Sequence, residues 1–109
     1  MLATLKEVLQ AAEDKKIAIG AFDTPNLESL CAAIAAAEEV ELPTIIMHAQ
    51  CHESLCPLDV IGPIMVEHAK KAKVPVCVML DHGEDLDYLK RSLEMGFTAV
   101  MYDGSTTPY

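Results

Sequence analysis

Between Pro75 and Gly83 the chain reads PVCVMLDHG, and its apolar part, residues 76–80, shows no polar face. A run this short and this rich in β-formers fits a strand buried on both sides, as in a parallel sheet. Pro75 ends whatever helix comes before it. Asp81, His82 and Gly83 follow at the strand's carboxyl end, where parallel α/β enzymes carry out their chemistry. The same residues also read as a helix start, with Asp81 as N-cap of a helix over 84–95 and His82 as a loop residue.

The rest of the chain alternates. Residues 2–15 carry apolar side chains at 2, 5, 8, 9 and 12, a helical period. A strand over 17–22 follows. Asn26 then stands where an N-cap belongs, before a helix with Leu27, Leu30, Ile34 and Ala37 on one face. Pro43 opens a strand over 44–49. Pro57 starts a helix through Lys73, with Pro63 as an alternative first turn. The helix over 84–95 ends at Gly96, a good C′ glycine, and residues 99–102 form a fourth strand. No linker or repeat interrupts this order. A leading helix followed by βαβαβαβ implies a parallel sheet with right-handed crossovers. The pattern alone allows a small doubly wound sheet or half of an eight-stranded barrel.

Composition narrows the partners. A chain of 109 residues supports one domain at most. It is 51% hydrophobic but only 5% aromatic, with a mean hydropathy of +0.23, which suits tightly packed helices on strands. A net charge of −9 argues against nucleic acid or an anionic membrane surface as a partner. It also leaves the attraction of a phosphorylated substrate to local cations. No segment reaches the ~18 apolar residues that span a bilayer. Lys6, Glu7 and Glu13 interrupt the first segment, so it is no signal peptide. Cys31, Cys51, Cys56 and Cys77 read as reduced thiols of a cytoplasmic protein, with Cys51 and Cys56 structural.

LDHG at 80–83, then a helix, then GFTAVMYDGS at 96–105 resembles the class II, zinc-dependent aldolases of ketose bisphosphates, which include the fructose- and tagatose-bisphosphate enzymes. GAFDTPNLE at 20–28 is close to the family's GAFN-x-x-N-L-E, and residues 43–46 fit its second strand. The resemblance covers the whole chain. It implies a (β/α)₈ TIM barrel of which this chain supplies the leading helix and first four strands. Residues 1–109 would then be the N-terminal half of one barrel domain, a fold that needs about 250 residues.

The resemblance also implies chemistry. His82 would be a ligand of the catalytic Zn²⁺, which polarises the ketone. Asp81 would move a proton at the substrate hydroxyl. Asp103 would bind a second metal, although an Asx-turn explains it as well. Asp23, Asn26 and His48 would face the phosphorylated ketose, with helix capping an equal account of Asn26. The family draws its other two histidines, its glycine-rich phosphate loops and a mobile-loop glutamate from the second half of the barrel. This sequence also departs from the family at Asp23, where the family has Asn, and at Pro25. The second strand ends Met47-His48-Ala49 where the family has a Gln-x-Ser arrangement.

Two rival expectations stand beside this one. His48, His52 and His82 could form a three-histidine metal site, although a strand-end histidine is more commonly a hydrogen-bonded pocket residue. His68, beside Lys70 and Lys71, is expected to face solvent. The chain could also be a non-catalytic half-barrel that folds by assembling with itself or a partner, since two open strand edges invite pairing and a homo-oligomer.

Overall fold

The structure is a computed structural model and describes residues 1–108, so the last position of the expected 1–109 unit lies outside it. Helix α1, Leu5–Lys15, starts in a capping box. The Thr4 hydroxyl accepts from the Glu7 amide, and the Glu7 carboxylate accepts from the Thr4 amide. Then follow β1 (Ala21–Asp23), α2 (Leu27–Glu39), β2 (Thr44–Ala49), a 3₁₀ turn (Gln50–His52), α3 (Leu58–Lys71), β3 (Val76–Gly83), α4 (Leu86–Met95) and β4 (Ala99–Tyr102). The four strands are all parallel, in the order β1-β2-β3-β4.

Several boundaries differ from the expected ones. β1 is a three-residue edge strand starting at Ala21, because pairing to β2 begins only at Ala21↔Ile45. α3 starts at Leu58 with Pro57 at its N-cap, so Pro63 lies within the helix and is not its first turn. β3 runs through Asp81 to Gly83, since it stays paired with β2 at Ala49↔Asp81 and with β4 at Gly83↔Tyr102. Asp81 is therefore no N-cap. That role belongs to Asp85, whose carboxylate accepts from the Asp87 amide. Gly96 takes the left-handed conformation, φ +110°, that closes α4.

Strand alternation divides the core in two. Ile46, Val76, Val78 and Leu80 pack against Leu30, Ile34, Ile61, Met65 and Leu89 of the helices. Each fully buried side chain of this kind contributes about 1.5–3 kcal/mol. Ile45, Cys77 and Ala99 on the other face pack under Ala3 and Val8 of the leading segment. The chain start is stitched to this face, with the Ala3 amide donating to Val76 O and the Thr98 hydroxyl donating to Ala3 O. Toward the carboxyl ends the second face loses that cover. Met47 and Met79 are half-buried, and Asp81 comes next along β3. Among the described residues no helix is long and apolar enough to cross a membrane.

Candidate active site

Alternation along β3 sends Leu80 to the helices and Asp81 to the opposite face. His82 would return to the helix side if the strand continued regularly. It does not, because the β3–β4 register shifts between Leu80 and Gly83 and His82 adopts φ +46°. A left-handed residue other than glycine is disfavoured by about 1–2 kcal/mol, and such strain collects at functional sites. Here it turns the imidazole onto the side of Asp81. His82 Nε2 lies 3.9 Å from Asp81 Oδ1, and Nδ1 lies 2.9 Å from Asp103 Oδ2. The His82 side chain is 59% exposed, whereas Asp81 and Asp103 retain only 14% and 20%. The imidazole thus stands in solvent on two nearly covered carboxylates. Gly83 beside it packs closely on the core: a Cβ there would come within 2.5 Å of Leu89 Cδ1 and 2.9 Å of Leu80 Cδ2, so those side chains would have to shift.

Asp103 is held at three points. Its amide donates to Gly83 O at 2.8 Å, Oδ1 accepts from the Ser105 amide at 2.9 Å, and Oδ2 faces His82. The hydrogen bonds from Ser105, and then from His82, hold its carboxyl down to about 2. In turn the bond to Asp103 and the charge of Asp81 raise the His82 imidazole above its usual value. Asp23, at the end of β1, is pushed up by partial burial and by the negative charge of Asp81, so the first-strand acid shares this electrostatic field.

The other expected site residues lie elsewhere. Asn26 is exposed and caps α2, its Oδ1 accepting from the Ser29 amide at 2.8 Å. His48 lies on the other face of the sheet. It has no exposed surface, follows Ile46 on the helix-facing side, and stacks its ring on Tyr88 with Nε2 3.1 Å from the Tyr88 hydroxyl. The three-histidine site also falls away. His48 and His52 have ring centroids 6.1 Å apart, but His48 packs on Tyr88 on the helix-facing side of the sheet, the face opposite Asp81. Among the described residues no three His, Cys, Asp or Glu side chains are gathered to hold a metal. His68 is half-buried, not simply solvent-facing, with Nδ1 2.9 Å from Ile64 O.

Three residues escape sequence reasoning. Glu53 Oε2 accepts from the Leu58 amide at 2.9 Å and from the Tyr88 hydroxyl, which ties α3, α4 and the loop after β2 together. Gln50 Oε1 accepts from the Glu84 and Asp85 amides at 2.9 and 3.2 Å, latching that loop to the turn beyond His82. The Glu53–Tyr88 and Gln50–Glu84 pairs are distant in sequence, and no local motif marks Glu53, Tyr88 or Gln50.

A parallel sheet that gathers an acid, a histidine and a second acid at its carboxyl ends defines an α/β enzyme scaffold. Residues 3–109 match the family described as Fructose-bisphosphate aldolase class-II, and the chain belongs to that family. It is 36% identical to a fructose-bisphosphate aldolase of Thermus caldophilus, over 96% of this chain and 34% of that protein. It is 33% identical to a 6-phospho-5-dehydro-2-deoxy-D-gluconate aldolase of Halalkalibacterium halodurans, over 98% and 38%. The crystal structure of the YdjI aldolase from Escherichia coli K12 superposes with a TM-score of 0.91 at 31% identity, covering 99% of this chain and 42% of that one. The fold is thus a leading helix and four βα-type strands of a TIM barrel, and the chain spans little more than a third of the length of the curated relatives it matches.

Proposed function

We propose that this chain carries part of the active site of a zinc-dependent class II aldolase, residues 1–109 being the N-terminal half of one barrel domain. The reaction is aldol cleavage or condensation of a phosphorylated ketose, a fructose- or tagatose-1,6-bisphosphate type giving dihydroxyacetone phosphate and an aldehyde phosphate. The observation that carries the reading is the turn at His82, which brings imidazole and Asp81 to one side of the sheet at strain. A cytoplasmic location and a homo-oligomeric state belong to the same proposal.

The residues fit the metal at one position and not at the other. An ionised carboxylate only accepts, so the bond to Asp103 places the His82 proton on Nδ1. Nε2 then carries the lone pair that a zinc ligand needs. Asp103 is not joined by further ligands for a second metal: one oxygen faces the His82 ring, the other closes the turn at Ser105, and among the described residues no three His, Cys, Asp or Glu side chains gather to hold an ion. Bound zinc would supply Lewis-acid polarisation of the substrate carbonyl. Asp81, beside it and mostly covered, takes or returns a proton at the substrate hydroxyl. Asp23 extends the polar wall toward β1.

Replacing Asp81 with Ala in the full-length enzyme tests this. We expect kcat to fall about 10²–10⁴-fold with zinc content and ketose binding retained. Loss of zinc or of the fold in that variant would sink the assignment.

A second reading, a non-catalytic half-barrel that assembles with a second copy, draws on one feature. An apolar groove of about 310 Å³ runs along the β1 edge between Gly20, Phe22, Ala33, Ala36 and Val40, with Phe22 and Val40 51% and 61% exposed. A zinc-dependent triose phosphate release assay on the full-length protein separates the two: cleavage favours the first reading, and no cleavage beside a stable dimer of the 109-residue chain in sedimentation favours the second. Zinc-dependent cleavage by a monomer of the 109-residue chain would contradict both.

A further inference from the structure

We infer that Asp103 is a positioning residue, one that fixes the tautomer and direction of the His82 imidazole and is not itself a metal ligand. The inference deepens the proposal above and rests on His82 being the ligand there. Its basis is a two-point hold across the ends of β3 and β4. The Asp103 amide donates to Gly83 O at 2.8 Å, so the backbone after His82 is fixed to the residue whose carboxylate meets the ring. Oδ2 accepts from Nδ1 at 2.9 Å. Oδ1 is occupied by the Ser105 amide at 2.9 Å, which closes an Asx-turn and stops the carboxylate from rotating.

Each contact has a consequence for the ring. His82 sits in a left-handed conformation at a strand irregularity, so the backbone alone leaves the exposed imidazole free to swing. The carboxylate removes that freedom and demands a proton on Nδ1. Among the described residues Nε2 is left without a hydrogen-bond partner, since Asp81 Oδ1 at 3.9 Å is beyond bonding distance. A carboxylate behind a metal-binding histidine works in this way, and losing such a partner weakens metal binding about 10–100-fold. The Asx-turn and the histidine contact are compatible because they use different oxygens of one side chain.

Asp103→Asn gives a sharp test because it is isosteric. Asn has one acceptor oxygen, which the Ser105 amide retains in the turn. Its NH₂ group then faces His82 Nδ1 and donates to it, which forces the proton to Nε2. Solid-state ¹⁵N spectra of the histidine-labelled, metal-free full chain at about pH 9, where imidazoles are neutral, report the tautomer whatever the assembly size. The signals lost in His82→Gln identify the residue. We expect Nδ1–H in the native chain, Nε2–H in Asp103→Asn, and zinc affinity lowered about 10–100-fold in the variant by chelator competition. Nε2–H in the native chain would overturn the inference, and so would an Asn variant that keeps Nδ1–H. A tautomer that switches while zinc affinity stays unchanged would support the positioning role and instead remove His82 from the metal site.

Discussion

His48 and His82 sit near the ends of neighbouring strands, yet the structure treats them in opposite ways. His48 continues the regular alternation of β2 and falls on the helix-facing side, fully buried. His82 breaks the alternation of β3 and stands in solvent. The hydrogen bonds assign opposite tautomers. Tyr88 donates to Glu53, so it accepts from His48, whose proton is on Nε2. Asp103 accepts from Nδ1 of His82. Burial lowers the His48 imidazole from its ordinary value, and the carboxylates raise that of His82. Regular geometry thus yields a structural histidine, and a strained turn yields an available one.

Breaking this contrast begins at the strained turn. His82→Gly in the full-length enzyme should abolish zinc binding and lower kcat/KM at least about 10³-fold. Stability should hold, or rise by up to about 1 kcal/mol, because glycine accepts φ +46° freely. His48→Ala should do the reverse. It removes a buried ring and strands the Tyr88–Glu53 pair, so we expect a loss of about 2–4 kcal/mol in denaturant unfolding with zinc stoichiometry intact. If His48→Ala released zinc, or His82→Gly unfolded the chain, the two roles would have to be exchanged. Tyr88→Phe, which leaves His48 Nε2–H and Glu53 without their partner, should cost about 1–3 kcal/mol by the same measurement.

Acid sharpens the contrast further. His48 has a lowered imidazole pKa in the fold, from desolvation first and then from His52, against the opposing charge of Glu53. Between the unfolded value of about 6.5 and that lower folded value, the unfolded chain binds more protons. Stability should therefore fall as pH drops below about 6.5, and a His48→Gln variant should show a flatter slope in that window. Glu53 acts in a separate window. Its carboxyl is lowered by hydrogen bonds from Tyr88 and then Leu58, so the stability it adds is present above its unfolded value and lost as pH falls through the lower folded one. Unfolding midpoints measured from neutral to acid pH check both, and an unchanged slope in His48→Gln would remove His48 from the account.

The same contrast explains what sequence reasoning reaches. The alternation of apolar runs marks the four α-helices and the four strands, though not the 3₁₀ turn at Gln50–His52, because period and punctuation are local signals. The LDHG and DGS motifs led to Asp81, His82 and Asp103, which the fold does bring together. Strand-end position alone does not tell which face His48 takes; the period of two from Ile46 places it with the core. His82 escapes that count for the opposite reason. Its irregularity depends on β4 holding Gly83 and Asp103, a contact twenty residues away. Asp81 as a helix cap failed by four residues, since Asp85 supplies an equally good cap after the strand extends. The Glu53–Tyr88 pair had no signal at all, being 35 residues apart.

The smallest predicted effect tests whether the two histidine regions are independent. Gln50 lies in the 3₁₀ turn two residues beyond His48, and its side-chain oxygen takes both the Glu84 and the Asp85 amides, two and three residues beyond His82. Its backbone oxygen also accepts from the Glu53 amide, so it is a direct polar link between the buried network and the strained turn. Both bonds are exposed, so Gln50→Ala should lower stability by only about 1 kcal/mol. The local consequence should be larger than the global one. Amide exchange at Glu84 and Asp85 should speed up while exchange in β2 and α3 stays as before, since those elements keep their Glu53 and core contacts. A double-mutant cycle of Gln50→Ala with Tyr88→Phe then measures the coupling. If Gln50 only anchors the turn, the two losses add within about 0.5 kcal/mol. A clear departure from additivity would mean that the packing around His48 helps to set the conformation at His82, and the division between a structural and an available histidine would then be one cooperative unit.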